Sequence, residues 1–69
     1  MNFFSRNLKF LTKTQINQNQ LAIRLEINRQ QITKWLNNSE PNYDRLIQIC
    51  KIYNITIDDM LLKDLSLNK

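Results

Sequence analysis

Apolar residues recur at helical spacing throughout this chain, and the spacing predicts five helices. Phe4, Leu8 and Leu11 share one face of a segment over residues 3–13, with Arg6, Lys9 and Lys13 turned away from it, which is the pattern of an amphipathic helix closing the back of a domain. Leu21, Ala22 and Leu25 stand at i, i+1 and i+4 of a second helix over 18–25. Ile32, Trp35 and Leu36 stand at i, i+3 and i+4 of a third over 29–37, which leaves Arg29, Gln30, Gln31, Thr33 and Lys34 on its outward face. Leu46, Ile49, Cys50 and Tyr53 carry a fourth over 43–53, and a leucine-rich run carries a fifth over 57–65. The fold class that follows is all-α, in a single domain over residues 1–69.

Polar residues mark the helix ends. Asn17, Asn28, Asn42 and Thr56 each stand just before a predicted helix, where a side-chain oxygen can accept from an unpaired first-turn amide. Asp44, Asp58 and Asp59 fall in first turns, where a carboxylate suits the helix dipole. Asp58 and Asp59 are neighbours on a helix and so point about 100° apart, which favours this dipole role over paired-carboxylate chemistry. Asn37, Asn38 and the Glu40–Pro41 step end the third helix, and Asn54 ends the fourth. Ile16, just ahead of Asn17, is placed to staple against Leu21. Residues 16–35 therefore read as two short helices joined by a tight turn, with Ala22 small enough for a close crossing.

Gln18, Leu21, Ala22, Ile27, Asn28, Ile32 and Trp35, followed by Pro41, resemble the helix-turn-helix of the Cro and phage-repressor (Xre-like) family. The resemblance continues through Leu46, Ile49, Cys50, Tyr53, Ile55, Ile57, Asp59, Met60 and Leu61, so it covers roughly residues 4 to 62. It implies a five-helix DNA-binding domain in which Gln18 donates to a DNA phosphate. The chain departs from the family pattern at Glu26 and Asn38, where glycine is usual, and in a shorter connection after the first helix that lacks the usual arginine. Asn tolerates left-handed backbone angles, whereas Glu26 held there costs on the order of 1 kcal/mol.

At 69 residues the chain has room for one domain, and domains of that size bury only about 60% of their unfolded surface. One Cys and no His exclude a disulfide framework, a zinc site and a Cys/His nucleophile pair within one chain, and the absence of Gly excludes a glycine-rich phosphate loop. Neither a metal nor a cofactor is expected, and an enzyme is not. The start of the chain has no signal-peptide pattern and no stretch of about 18 apolar residues occurs, so the expected location is the cytoplasm. Net charge is +4, but through residue 39 six basic residues face one acidic residue, giving +5, while four basic and five acidic residues follow, giving −1. The positive field thus belongs to the half with the helix-turn-helix, as expected of a surface facing phosphates. Eleven Asn and Gln between Gln15 and Asn42 add groups suited to base edges and phosphate oxygens.

The expected partner is therefore double-stranded operator DNA. Arg29, Gln30, Gln31 and Lys34 are placed for base readout, because the start of a recognition helix and the turn after it enter the major groove together. Gln18, Asn28, Thr33, Asn37 and Asn38 are placed for phosphate contacts at helix termini. The apolar end of the chain exceeds what a small core can cover, so Tyr53, Ile57, Leu61, Leu62 and Leu65 are expected to form a homodimer interface. The function expected is a DNA-binding transcriptional regulator of repressor type. The alternative is a protein-interaction module on the same fold, such as an antitoxin or an inhibitor.

Overall fold

Asparagine side chains set where the central helices begin. In a computed structural model describing residues 2–67, the Asn17 Oδ1 accepts from the Gln20 amide at 2.9 Å, Asn28 Oδ1 from Gln30 at 2.9 Å and Asn42 Oδ1 from Arg45 at 2.8 Å. Thr56 Oγ1 accepts from the Asp59 amide at 3.0 Å in the same way. The helices that follow are α2 (Gln18–Leu25), α3 (Arg29–Leu36), α4 (Tyr43–Tyr53) and α5 (Ile57–Leu62), preceded by α1 (Phe4–Thr14). A single 3-10 turn (Leu65–Leu67) comes last, and no strand occurs among the described residues. The fold is all-α.

Two helices end by the same device. Glu26, at φ 56° and ψ 45°, follows α2, and Asn54, at φ 57° and ψ 48°, follows α4. Each left-handed residue turns the chain so that the next amide bonds back into the helix: Ile27 donates to the Ala22 carbonyl at 3.1 Å and Ile55 to that of Cys50 at 3.0 Å. The isoleucine that follows each turn packs against the core, the apolar contact that accompanies this type of helix end. Glu26 thus occupies a conformation that glycine adopts without strain, at a cost of about 1 kcal/mol.

The core gathers one face from each helix. Phe4, Leu8 and Leu11 of α1 meet Leu21, Ala22 and Leu25 of α2, Ile32 and Trp35 of α3, Leu46, Ile49, Cys50 and Tyr53 of α4, and Met60 of α5. Tyr53 is only 3% exposed, and its hydroxyl donates to the Ile16 carbonyl at 2.7 Å. This corrects the expectation that placed Tyr53 at a dimer interface: its ring lies in the core of one chain and its hydroxyl bonds the connection between α1 and α2, so it belongs to the monomer.

The end of the chain also differs from the sequence reading. The fifth helix, expected to reach residue 65, stops at Leu62, and Lys63 is extended at φ −112° and ψ 147°. The cause is Asn7, a fully buried side chain on α1. Its Nδ2 donates to the carbonyls of Met60 and Lys63, each at 2.7 Å, while its Oδ1 accepts from the Leu65 amide at 2.8 Å. A continued helix would have joined the Leu65 amide to the Leu61 carbonyl. That carbonyl instead accepts from the Phe3 amide at 2.9 Å. Arg6 completes the clasp through a 3.2 Å ion pair with Asp64. The 3-10 turn at Leu65–Leu67 follows; Asn68 and Lys69 lie outside the described residues.

Two outcomes follow from these buried polar groups. Replacing Asn7 by Leu strands two carbonyls and an amide, so urea unfolding should show a loss of about 3 kcal/mol or more; a loss under 1 kcal/mol would contradict the clasp. Burial pushes the Tyr53 hydroxyl up from its ordinary 10 to about 12, with Arg24 opposing the shift. A group raised in the folded state contributes stability that is complete below its ordinary pKa and lost as pH rises through the folded value. Between pH of about 10 and about 12 the parent should therefore lose about 3 kcal/mol more than Tyr53→Phe, and equal losses would rule out the buried phenol as the cause.

Candidate nucleic-acid interface

The outward face of α3 exists because its inward face is held at both ends and in the middle. Ile32 is fully buried and Trp35 nearly so, and α3 packs against both α1 and α2. At its start stands the Asn28 cap. At its end the Ser5 hydroxyl of α1 donates to the Trp35 carbonyl at 2.5 Å and accepts from the Asn38 amide at 3.1 Å. Asn38 sits at φ 73°, so Ser5 fixes the left-handed turn that carries the chain off α3 toward Pro41. Nothing in the periodicity of α1 marks Ser5 for this role, because its partners are backbone groups 30 and 33 residues away.

With that support, Arg29, Gln30, Gln31, Thr33 and Lys34 are all exposed. Gln30 and Lys34 lie one helical turn apart, and Gln31 lies beside them. Among the described residues the side chains of these three form no hydrogen bond, so their donors and acceptors are free for a ligand. Arg29 differs: its Nη1 donates to Asn19 Oδ1 at 2.9 Å, which draws the guanidinium toward the start of α2. Arg29 therefore lines a depression of about 350 Å³ with Lys9, Lys13, Gln18 and Asn19. Gln31 and Asn28 border a separate depression on the other side of α3, against Glu40, Pro41 and Arg45.

The residues expected to touch phosphate divide by what their polar atoms already do. Gln18 is half-buried at the start of α2. Asn28 uses its oxygen as a cap and keeps its Nδ2 hydrogens. Thr33 turns its hydroxyl toward the Arg29 carbonyl at 3.4 Å, and Asn37 donates through Nδ2 to the Thr33 carbonyl at 3.0 Å, so both face back onto α3. The Asn38 side chain is exposed while its amide is held by Ser5. Arg6, counted with the positive half, is paired with Asp64 at 3.2 Å, so part of its charge is offset. Arg45 is held beside the helix-turn-helix by the Leu25 carbonyl at 3.0 Å and Gln48 Oε1 at 2.9 Å.

Among the described residues no three His, Cys, Asp or Glu side chains gather where a metal could bind. Burial raises the Cys50 thiol above its ordinary value, opposite to what a nucleophilic thiolate requires. No helix among the described residues is long and apolar enough to cross a membrane.

A family model of the Cro/C1-type helix-turn-helix DNA-binding domain matches residues 8–62. The chain belongs to the Cro/C1-type family. Neither the curated proteins nor the solved structures yield a match. In this Cro/C1-type domain α2, the Glu26 turn and α3 form the helix-turn-helix, and α3 stands where such domains carry the helix that enters the major groove.

Proposed function

We propose that this protein is a sequence-specific DNA-binding transcriptional regulator, a repressor that occupies a two-fold operator as a homodimer. The observation that carries the reading is the outward face of α3, where Gln30, Gln31 and Lys34 are exposed and unbonded on a helix fixed at both ends. Gln matches the N6 and N7 edge of adenine through two hydrogen bonds, and Lys reaches guanine O6 and N7. Gln18, Asn28 and Asn38, at the ends of α2 and α3, position the backbone on either side, with Thr33 and Asn37 able to join them by turning from their own helix. Repression needs nothing beyond occupancy of a site that polymerase also requires.

The dimer reading rests on the other end of the molecule. Leu62 and Leu67 are each 70% exposed, and Ile57, Leu61 and Leu65 beside them are half-buried. Five apolar side chains so placed support a surface that a second copy covers. The backbone measures 29 × 22 × 21 Å, and half-sites one helical turn apart are centred roughly 34–36 Å from each other, so domains of this size on neighbouring half-sites stand close enough to touch.

Gln30→Ala should weaken binding to the preferred duplex by roughly 1–3 kcal/mol and leave binding to unrelated DNA unchanged, as read by fluorescence anisotropy. Equal losses on both duplexes would show that Gln30 reads no base. The double variant Leu62→Lys with Leu67→Lys should retain its helical circular dichroism and half-site affinity while losing cooperative binding to a full site. Cooperativity equal to that of the parent would place the interface elsewhere.

A further inference from the structure

Arg29 opens the recognition helix, a position from which an arginine would ordinarily reach a guanine. We infer that Arg29 instead clamps a phosphate of the DNA backbone, and that Asn19 is the positioning residue that holds it there; the inference rests on the DNA-binding reading above. The bond from Arg29 Nη1 to Asn19 Oδ1, at 2.9 Å, crosses from the start of α3 to the first turn of α2. It draws the guanidinium away from Gln30, Gln31 and Lys34 and into the depression that Lys9 and Lys13 of α1 border from the other side. No carboxylate lines this depression, and among the described residues none of its three cations is in an ion pair, whereas Arg6 and Lys63 each have one.

The chemistry of the tether decides what the site can take. Three like charges in one depression repel one another, and a neutral amide oxygen orders the guanidinium without cancelling its charge. A carboxylate at residue 19 would order it and neutralise it. The guanidinium has five N–H donors, of which the tether uses one, so donors remain for the oxygens of a phosphodiester. Reading guanine would require swinging the side chain out of the depression and breaking the bond to Asn19. Clamping a phosphate requires neither. Base reading by α3 then narrows to Gln30, Gln31 and Lys34, with Arg29 fixing the register in which they meet the groove.

The test uses the full chain with two probes, a duplex selected by the parent protein from a randomised pool and an unrelated duplex of equal length. Arg29→Ala should weaken both by the same factor, about tenfold, and lower the slope of log affinity against log salt by about one. Asn19→Ala should weaken both by roughly two- to tenfold, because the arginine must then be ordered on binding, and should have no further effect when Arg29 is already Ala. Asn19→Asp keeps the tether but cancels the charge, so it should flatten the salt slope as Arg29→Ala does, a change that a merely structural role for Asn19 would not produce. A loss confined to the selected duplex on Arg29→Ala would make Arg29 a base reader and overturn the inference. An Asn19→Ala effect that persists without Arg29 would overturn the role of Asn19. If the parent selects no sequence and binds neither duplex, the DNA-binding reading itself falls, and this inference with it.

Discussion

Helix α3 has eight residues, about 12 Å of helix, which is too short to hold its shape in water alone. Its stability is borrowed from the core through Ile32 and Trp35, and its ends are set by Asn28 and Ser5. The rest of the molecule is arranged around that dependence. Helix α1 supplies both apolar packing and the hydroxyl that closes the C-terminal end of α3, while α2 meets it across a turn that forces Glu26 to a left-handed backbone. A small domain with little stability to spare accepts strain of about 1 kcal/mol there, because the same turn buries Ile27 and fixes the angle between the two helices.

The same economy governs the far end. Asn7 is a polar side chain spent entirely inside the protein, and by satisfying Met60, Lys63 and Leu65 it stops α5 after six residues and ties the chain's last turn to α1. Ending α5 early leaves Leu62 and Leu67 outside the core. Charge is divided to match: Arg6 and Lys63 are consumed by ion pairs at this end, while Lys9, Lys13, Arg29 and Lys34, which carry no such pair among the described residues, lie around α3. The unpaired cations and the exposed leucines thus belong to different parts of the surface.

Much of this was legible in the sequence, for reasons that also explain what was not. Ile32 and Trp35 betray α3 by their spacing, and Asn17, Asn28, Asn42 and Thr56 betray helix starts because a capping oxygen acts within three residues of itself. Asn7 and Ser5 act on backbone groups far along the chain, so each looks like a surface residue to a reading that sorts positions by polarity. The leucine periodicity therefore ran on through residue 65 when α5 had already ended. Tyr53 was misplaced because an apolar stripe does not reveal whether a chain covers it with its own helices or with a second copy. The bond between Arg29 and Asn19 depends on how two side chains turn, which spacing alone does not fix.

The central claim is that the polar face of α3, supported by α1 and α2, is the surface that meets DNA. Amide chemical shifts of the nitrogen-15-labelled protein, followed during titration with a duplex selected from a randomised pool, test it most directly. The expected result is that the largest changes fall on residues 17–20 and 28–42, with Lys9 and Lys13 following. Changes concentrated on α5 and the 3-10 turn, with α3 unmoved, would contradict the account.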